Sequence, residues 1–170
     1  GLSETKEGAK KLIERKKAGE RNPGSLLESI IFQMEDTKNE EQLFNDALEL
    51  VITWINRILF LKLLESQQVN YQKGNPEYKF LNIEKISGFD ELNNIFFKVL
   101  AINNSERHDL VKIKYKTVPY LNSSLFEKSE IETQYFPISQ ITDGKIPTYS
   151  GTVLKDNSGK KFSREMNTLE

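Results

Sequence analysis

The chain has 170 residues, with 24 Lys and Arg against 25 Asp and Glu and a formal net charge of -1. This length favours one domain, or one domain with appendages, and the charge balance excludes a nucleic-acid-binding domain that works by bulk positive charge alone. The absence of Cys excludes a disulfide scaffold, a thiolate zinc site and a thiol nucleophile. A single His, His108, excludes a multi-His metal site.

Charged residues dominate positions 3–21, where Leu12 and Ile13 are the only sizeable apolar residues. Opposite charges three or four positions apart support a solvent-exposed helix. We therefore predict a charged connector helix over residues 1–21, with a basic face that touches phosphate as the functional alternative.

A longer helical region follows the break at Asn22-Pro23-Gly24. Ser25 is a candidate N-cap for a helix that ends near Asp36. Asn39 precedes a long helix, residues 40–67, whose apolar positions become nearly continuous. A helix that is apolar nearly all round is typical of the central element of a bundle.

Another amphipathic helix is predicted over residues 90–101, with Asp90 as a candidate cap, and a shorter helix or turn ends before Pro119. The apolar residues of the first of these helices are expected to face inward: Leu92, Ile95, Phe96, Val99 and Leu100. From Ile131 onward, Gly and Pro separate short extended segments, at residues 135–138 and 149–154. The last residues resemble a capped helix start, from which we expect a longer parent protein. The predicted fold is mainly α: a helical bundle over residues 22–130 around one long central helix, then a small irregular, β-containing segment over residues 131–170.

Arg57 is a charged residue in the middle of the apolar stretch of the long helix. One interpretation is that it extends to solvent or pairs with a carboxylate, such as Glu65 or one from another helix. The other is that it anchors a loop that returns over the helix.

Basic residues form a local cluster in which Lys112, Lys114 and Lys116 alternate with apolar residues, close to Arg107. Such groups neutralise phosphates without reading base sequence. A solvated surface is the alternative, because acidic residues balance these charges over the whole chain. His108 stands in a polar stretch and is interpreted as a surface residue.

Two local patterns resemble catalytic motifs. Asn75-Pro76-Glu77-Tyr78 is similar to the Asn-Pro-Pro-Tyr motif of amino-methyltransferases, but no buried strand or glycine-rich cofactor loop precedes it, so we interpret it as a proline turn. Glu4-Thr5-Lys6 and Asp143-Gly144-Lys145 match half of a magnesium-nuclease pattern, and neither follows a convincing apolar strand.

The segment 118–127, Val-Pro-Tyr-Leu-Asn-Ser-Ser-Leu-Phe-Glu, is more specific. It resembles the "PYLNGGLFE" signature of combined restriction-and-modification enzymes (type IIG, overlapping type IIS) and of related adenine-specific DNA methyltransferases. The long helix around residues 54–65 and the paired Phe96-Phe97 are also similar to that family. Ser123-Ser124 stands where the family usually has Gly-Gly, a pair that suggests positive φ or close backbone approach.

The resemblance implies a bacterial, cytoplasmic parent that cleaves DNA with Mg²⁺ and methylates adenine with S-adenosylmethionine. It implies a helical connector between a nuclease and a methyltransferase domain, with duplex DNA as the partner of the parent and no membrane. On this interpretation the chain itself holds no catalytic residue, cofactor or metal, and Arg107, Lys112, Lys114 and Lys116 are its candidate phosphate contacts.

The residues of the signature also suggest a packing role of their own. Pro119 ends the preceding element, and Asn122 is suited to satisfying backbone groups of a turn. The apolar residues of the segment are expected to pin the loop onto the bundle: Tyr120, Leu121, Leu125 and Phe126. The alternatives to a connector are a helical protein-interaction module unrelated to DNA and a small carboxylate-dependent enzyme.

Overall fold

The computed structural model describes residues 2–7, 10–34, 39–82, 84–134, 136–141, 145–147, 159–160 and 165–167. Within these ranges the chain is mainly helical, with one long helix and little sheet, which confirms the predicted fold class. The α-helices are α1 (Leu26–Gln33), α2 (Glu40–Tyr71), α3 (Phe89–Asn94), α4 (Asp109–Lys114) and α5 (Glu130–Gln134). The strands are β1 (Leu2–Glu7), β2 (Lys10–Arg15), β3 (Lys145–Pro147) and β4 (Glu165–Asn167).

The prediction of a helix over residues 1–21 is wrong, because β1 and β2 form an antiparallel pair in this segment. Leu2 lies opposite Arg15, and Glu7 lies opposite Lys10. Charge pairs at helical spacing contribute only about 0.2–0.5 kcal/mol each. The segment has no apolar stripe that a helix would bury, and Gly8 further disfavours a helix. A short 3₁₀ turn, Ala18–Glu20, follows the hairpin.

α1 begins as predicted, because the Ser25 hydroxyl accepts the N–H of Glu28 and caps the first turn. The helix buries Leu27, Ile30 and Ile31, which lie on one face. It ends at Gln33, three residues before the predicted end.

α2 is a continuous helix of 32 residues, about 48 Å long at 1.5 Å per residue. The Asn39 side chain accepts the N–H of Gln42 at 2.8 Å, as expected of an N-cap. Beyond the helix, Lys73 and Gly74 have positive φ angles of 54° and 83°, and the Gly74 N–H donates to the Val69 carbonyl at 2.8 Å. This left-handed turn ends the helix four residues later than predicted.

The predicted helix over residues 90–101 is present as α3 followed by a π-helical segment, Ile95–Leu100. Its N-cap is Gly88, so Asp90 lies in the first turn. All five residues expected to face inward are buried: Leu92, Ile95, Phe96, Val99 and Leu100.

The C-terminal region contains a helix where an extended segment was expected, because α5 covers residues 130–134. Ile138–Gln140 forms a 3₁₀ turn, and the predicted strand at residues 149–154 lies outside the described residues. β3 pairs antiparallel with β4, with Ile146 opposite Met166. Residues 165–167 are therefore a strand, where the sequence predicts the start of a capped helix.

The chain divides into two compact units, one made of residues 1–47 with 142–170 and one made of residues 48–141. The boundaries at residues 21 and 130 stay a prediction from the sequence. The first unit buries Leu27, Ile30, Ile31, Leu43 and Ala47, and the second unit contains the residues of the candidate site. No helix in the described residues is both long and apolar enough to span a membrane.

Candidate functional site

The centre of the second unit is a buried ion pair between Arg57 of α2 and Glu132 of α5. Arg57 Nη1 lies 2.5 Å from Glu132 Oε1, and Arg57 Nη2 lies 2.9 Å from Oε2, so the pair is bidentate. The two residues are 1% and 2% exposed. This arrangement matches the interpretation of Arg57 as the partner of a carboxylate from another helix, although that carboxylate is not Glu65.

Glu132 also joins the start of α5 to the long helix. Its carboxylate accepts the Ser129 backbone N–H at 2.9 Å, while the Ser129 hydroxyl accepts the Glu132 N–H at 3.2 Å. This reciprocal pair is a capping box. The Trp54 indole N–H donates to Glu132 Oε1 at 2.8 Å, so one carboxylate joins three groups.

Burial raises the pKa of Glu132, but hydrogen bonds from Arg57, the Ser129 N–H and Trp54 outweigh that effect and hold the pKa below its ordinary value. Glu132 is therefore an anion at neutral pH. It neutralises the Arg57 guanidinium, which would otherwise be a buried unpaired charge.

Arg57 also holds the returning loop, as the second interpretation of this residue describes. Its Nε donates to the Leu125 carbonyl at 2.6 Å, and its Nη2 donates to the Glu127 carbonyl at 2.8 Å. The guanidinium carbon lies 5.5 Å from the ring centroid of Phe96 and 5.2 Å from that of Phe97. One side chain thus fixes two loop carbonyls while aromatic rings cover it.

The loop of the signature is pinned mainly by Phe126, which is fully buried. Its ring centroid lies 5.9 Å from that of Phe60 and 6.0 Å from that of Phe96. Leu121 and Leu125 are half-buried, and Tyr120 is 38% exposed. The predicted apolar anchoring therefore rests chiefly on one ring.

Asn122 does not have the role predicted for it, because it is exposed and the Ser123 hydroxyl accepts the Leu125 N–H. Ser123 has an extended backbone with φ of -140°, and Ser124 begins a 3₁₀ turn, Ser124–Phe126. Both conformations are open to any L-residue. The loop is thus built without the positive φ that a Gly-Gly pair would have suggested.

A second charged pair holds another segment to α2. The Leu81 N–H donates to Glu65 Oε2 at 2.5 Å, and Lys62 Nζ donates to the Leu81 carbonyl at 2.7 Å. Lys62 Nζ also lies 2.7 Å from Glu65 Oε1. Both backbone groups of Leu81 are therefore satisfied by side chains one turn apart on the helix.

Arg107 is not placed to contact DNA, because it is only 2% exposed. Its Nε donates to the Ile102 carbonyl at 3.1 Å, and its Nη1 donates to the Val118 carbonyl at 2.9 Å and to the Asn104 side chain at 3.0 Å. Burial lowers its pKa, and its Nη2 has no hydrogen-bond partner. Arg107 closes the loop around α4, so the prediction of a phosphate contact at this residue is wrong.

The three lysines of the predicted basic cluster are each paired with an acid. Lys114 Nζ lies 2.8 Å from Glu91, Lys116 Nζ lies 3.0 Å from Glu77, and Lys112 Nζ lies 3.5 Å from Asp109. The Lys112, Lys114 and Lys116 side chains are 37%, 55% and 65% exposed. Exposed pairs of this kind contribute about 0–1 kcal/mol, so a phosphate group can compete with the acids.

Tyr115 reinforces the Lys114 pair, because its hydroxyl donates to the same Glu91 carboxylate. Burial and the neighbouring carboxylate raise the pKa of Tyr115, which keeps the hydroxyl protonated. Burial raises the pKa of Glu91, but hydrogen bonds from Lys114 and Tyr115 bring it below its ordinary value.

Lys114 and Lys116 line one cleft of about 450 Å³ in the second unit. Lys85 is the third ammonium group of this cleft, and Phe80 and Tyr115 supply aromatic surface. The other lining residues are Glu77, Glu84, Thr117 and Val118. The structure therefore brings two of the predicted lysines together and adds Lys85, while acids balance their charge.

The other candidate residues show no catalytic arrangement in the part of the chain that the structure describes. His108 is exposed, and its Nδ1 accepts the Leu110 N–H at the start of α4. Asn75 Oδ1 accepts the Glu77 N–H and caps a 3₁₀ turn, Pro76–Tyr78, as a proline turn would. No group of three His, Asp or Glu residues in the described ranges is placed to hold a metal ion.

The sequence does not predict Glu132 as a residue of the site. Its signal is the Ser129-x-x-Glu132 spacing, which is typical of a capping box, and the capping box alone does not indicate the pairing with Arg57.

No curated protein and no solved structure matches the chain. The resemblance to restriction–modification enzymes therefore remains a prediction. A family model does match all of residues 1–170. The chain belongs to the family described as Domain of unknown function (DUF7814).

Proposed function

We propose that this chain is a connector domain of a bacterial restriction–modification enzyme that holds a nuclease and a methyltransferase domain at a set distance and orientation. The observation that supports it best is the set of contacts of Arg57. This residue joins the long helix, the returning loop and α5 through four hydrogen bonds. A helix fixed in this way suits a spacer, because it transmits position between the elements at its ends.

Other buried charged residues of the second unit also bind the backbone of neighbouring segments. Glu65 and Arg107 direct their hydrogen-bonding groups largely at backbone atoms of neighbouring segments. Charged groups rigidify a fold when their hydrogen bonds are satisfied, as at Glu65, whereas Arg107 keeps one unpaired nitrogen, Nη2. The proposal assigns cleavage and methylation, with Mg²⁺ and S-adenosylmethionine, to other parts of the parent protein.

Contacts with DNA phosphates are the second part of the proposal, now limited to Lys112, Lys114 and Lys116. Binding would exchange a phosphate for the acidic partner of each lysine. We expect affinity to fall as salt rises, with the slope of log K against log salt reduced by about 1 for each phosphate-contacting lysine that is lost.

Fluorescence anisotropy with a labelled duplex tests this part. The variants Lys112→Gln, Lys114→Gln and Lys116→Gln avoid new repulsion with the neighbouring acids. Glu77→Gln should act in the opposite direction and strengthen binding up to about 5-fold, because it releases Lys116 from a weak pair. An affinity that does not change in any of the four variants would exclude these lysines as contacts.

The restriction–modification assignment has a separate test in the coding sequence that adjoins this chain. The proposal predicts an apolar strand with a glycine-rich loop and then an Asn-Pro-Pro-Tyr motif. Neighbouring sequence that encodes no methyltransferase core would overturn the assignment.

A protein-interaction module unrelated to DNA is the second candidate function. It is favoured by the large aliphatic side chains that α2 leaves exposed, among them Leu59 and Leu63. Soluble monomers rarely expose extended apolar patches, and such patches often mark protein interfaces. The absence of salt-dependent duplex binding, together with tight binding to a protein partner, would favour this candidate over the connector.

A further inference from the structure

α2 carries an apolar stripe that no described residue covers. Its members are Ile52, Ile55, Leu59 and Leu63, and they are 51%, 45%, 58% and 67% exposed. Their spacing of three, four and four positions places them on one face of an α-helix, over about 16 Å of its length. Phe60 beside the stripe is 40% exposed.

The stripe is not a sign of a poorly packed helix, because the opposite face of the same segment is tightly buried. Leu50, Trp54 and Leu61 are each at most 1% exposed. The exposed stripe contains no charged residue, and Lys62 at its edge is engaged with Glu65 and the Leu81 carbonyl. The helix therefore presents a second apolar face, opposite the one that is already buried.

We propose that this stripe is a homodimer contact, in which α2 of one copy packs antiparallel against α2 of a second copy. The two-fold axis passes near residues 57 and 58. Ile52 of each copy then meets Leu63 of the other, and Ile55 lies near Leu59 and Phe60 of the other. Spacings of three and four residues suit close helix packing at a small crossing angle.

The area favours a second copy over a single short partner segment. Four aliphatic side chains that are about half exposed present on the order of 400 Å² of apolar surface, which is large for a monomer. A two-fold contact buries this area on both copies, about 800 Å² of apolar surface in total. With Phe60 and the polar rim added, that area suits a weak, reversible interface at or below about 1,200 Å².

Sedimentation velocity of the full chain, at about 10 µM and about 200 µM, measures the association. We expect the fraction of dimer to rise with concentration. In Leu59→Gln, the association constant should be at least 10-fold lower than in the native chain. Leu110→Gln is the matched control, because Leu110 is 72% exposed on α4 outside the stripe. A monomer at both concentrations overturns the proposal and leaves a different protein as the occupant of the stripe.

Disulfide formation tests the register, because the chain has no Cys of its own. In the double variant Ile52→Cys with Leu63→Cys, the two thiols of one chain are about 16 Å apart along the helix, too far for a bond within the chain. We expect a covalent dimer on a non-reducing gel from the double variant and none from Ile52→Cys or Leu63→Cys alone, because a parallel pair would join like positions. A single variant that cross-links, or a dimer whose double variant does not, contradicts the antiparallel arrangement. A dimer that survives Leu59→Gln unchanged contradicts the contact itself.

Discussion

Arg57 and Glu132 are 75 positions apart in the chain and form a bidentate ion pair that is almost completely removed from water. Such a pair costs desolvation energy, and its bonds to other groups decide whether it stabilises the fold. Here the guanidinium also binds two loop carbonyls, and the carboxylate also binds Trp54 and the Ser129 N–H. The pair therefore acts as the junction of three segments of the second unit.

Arg57→Met should lower the free energy of unfolding by about 3–5 kcal/mol, because Glu132 would remain buried without its counter-charge. Trp54 is the only tryptophan of the chain and is buried beside Glu132. Its fluorescence during urea denaturation measures the effect directly. Lys98→Met, at an exposed position in the π-helical segment, is the control and should change stability by less than about 0.5 kcal/mol. Equal effects of the two variants would argue against the junction.

The contribution of Glu132 should depend on pH. Its folded-state pKa lies below its ordinary value of 4.5, so its stabilising effect is present above that pH and is lost as pH falls through the folded-state value. The difference in unfolding free energy between the native chain and Glu132→Gln should therefore be largest near neutral pH and shrink below 4.5. Glu28 and Glu91, whose pKa values are also lowered, are present in both chains and cancel. A difference that stays constant from about pH 7 to about pH 3 would be inconsistent with this sign.

Arg107→Met should destabilise the fold and leave DNA affinity unchanged. The variant leaves the Ile102 and Val118 carbonyls without their donor, at a cost of about 1–3 kcal/mol for each group that stays buried and unpaired. Lys116→Gln should show the opposite pattern, with little change in stability and weaker duplex binding. Urea denaturation and anisotropy on both variants separate the two roles. Weakened DNA binding in an Arg107→Met variant that is as stable as the native chain would show that Arg107 does contact phosphate.

Of the two α2 side chains that bind the backbone of Leu81, Glu65 should contribute more to stability than Lys62. Glu65→Ala leaves the Leu81 N–H unpaired and should cost about 1–3 kcal/mol. Lys62→Met should cost less than about 1 kcal/mol, because the Lys62 side chain is 58% exposed and its pair is screened by water. Thermal or urea unfolding compares the two, and a larger loss in Lys62→Met would show that the ammonium group is the main anchor.

The features that the sequence predicted well are those set by local pattern. Ser25 and Asn39 cap their helices, and the inward face of residues 90–101 is buried as expected. These signals depend on side-chain spacing of a few residues, which the chain itself displays.

The errors have two physical origins. The sequence predicts a helix where the N-terminal hairpin lies, because charge spacing supports a helix only weakly and the segment lacks the alternation of apolar and polar residues that would indicate strands. The identity of the Arg57 partner and the burial of Arg107 depend on contacts between distant segments. A single sequence shows that Arg57 is a charge among apolar residues, but it does not show which of many carboxylates reaches it.

A double-mutant cycle between Arg57→Met and Glu132→Gln tests the central claim most directly. If the two side chains act as one junction, each single change already breaks it, so the double variant should lose less stability than the sum of the single losses. We predict a coupling of about 1–3 kcal/mol from urea denaturation followed by Trp54 fluorescence. Losses that add to within about 0.5 kcal/mol would show that Arg57 and Glu132 act independently, and would contradict the account.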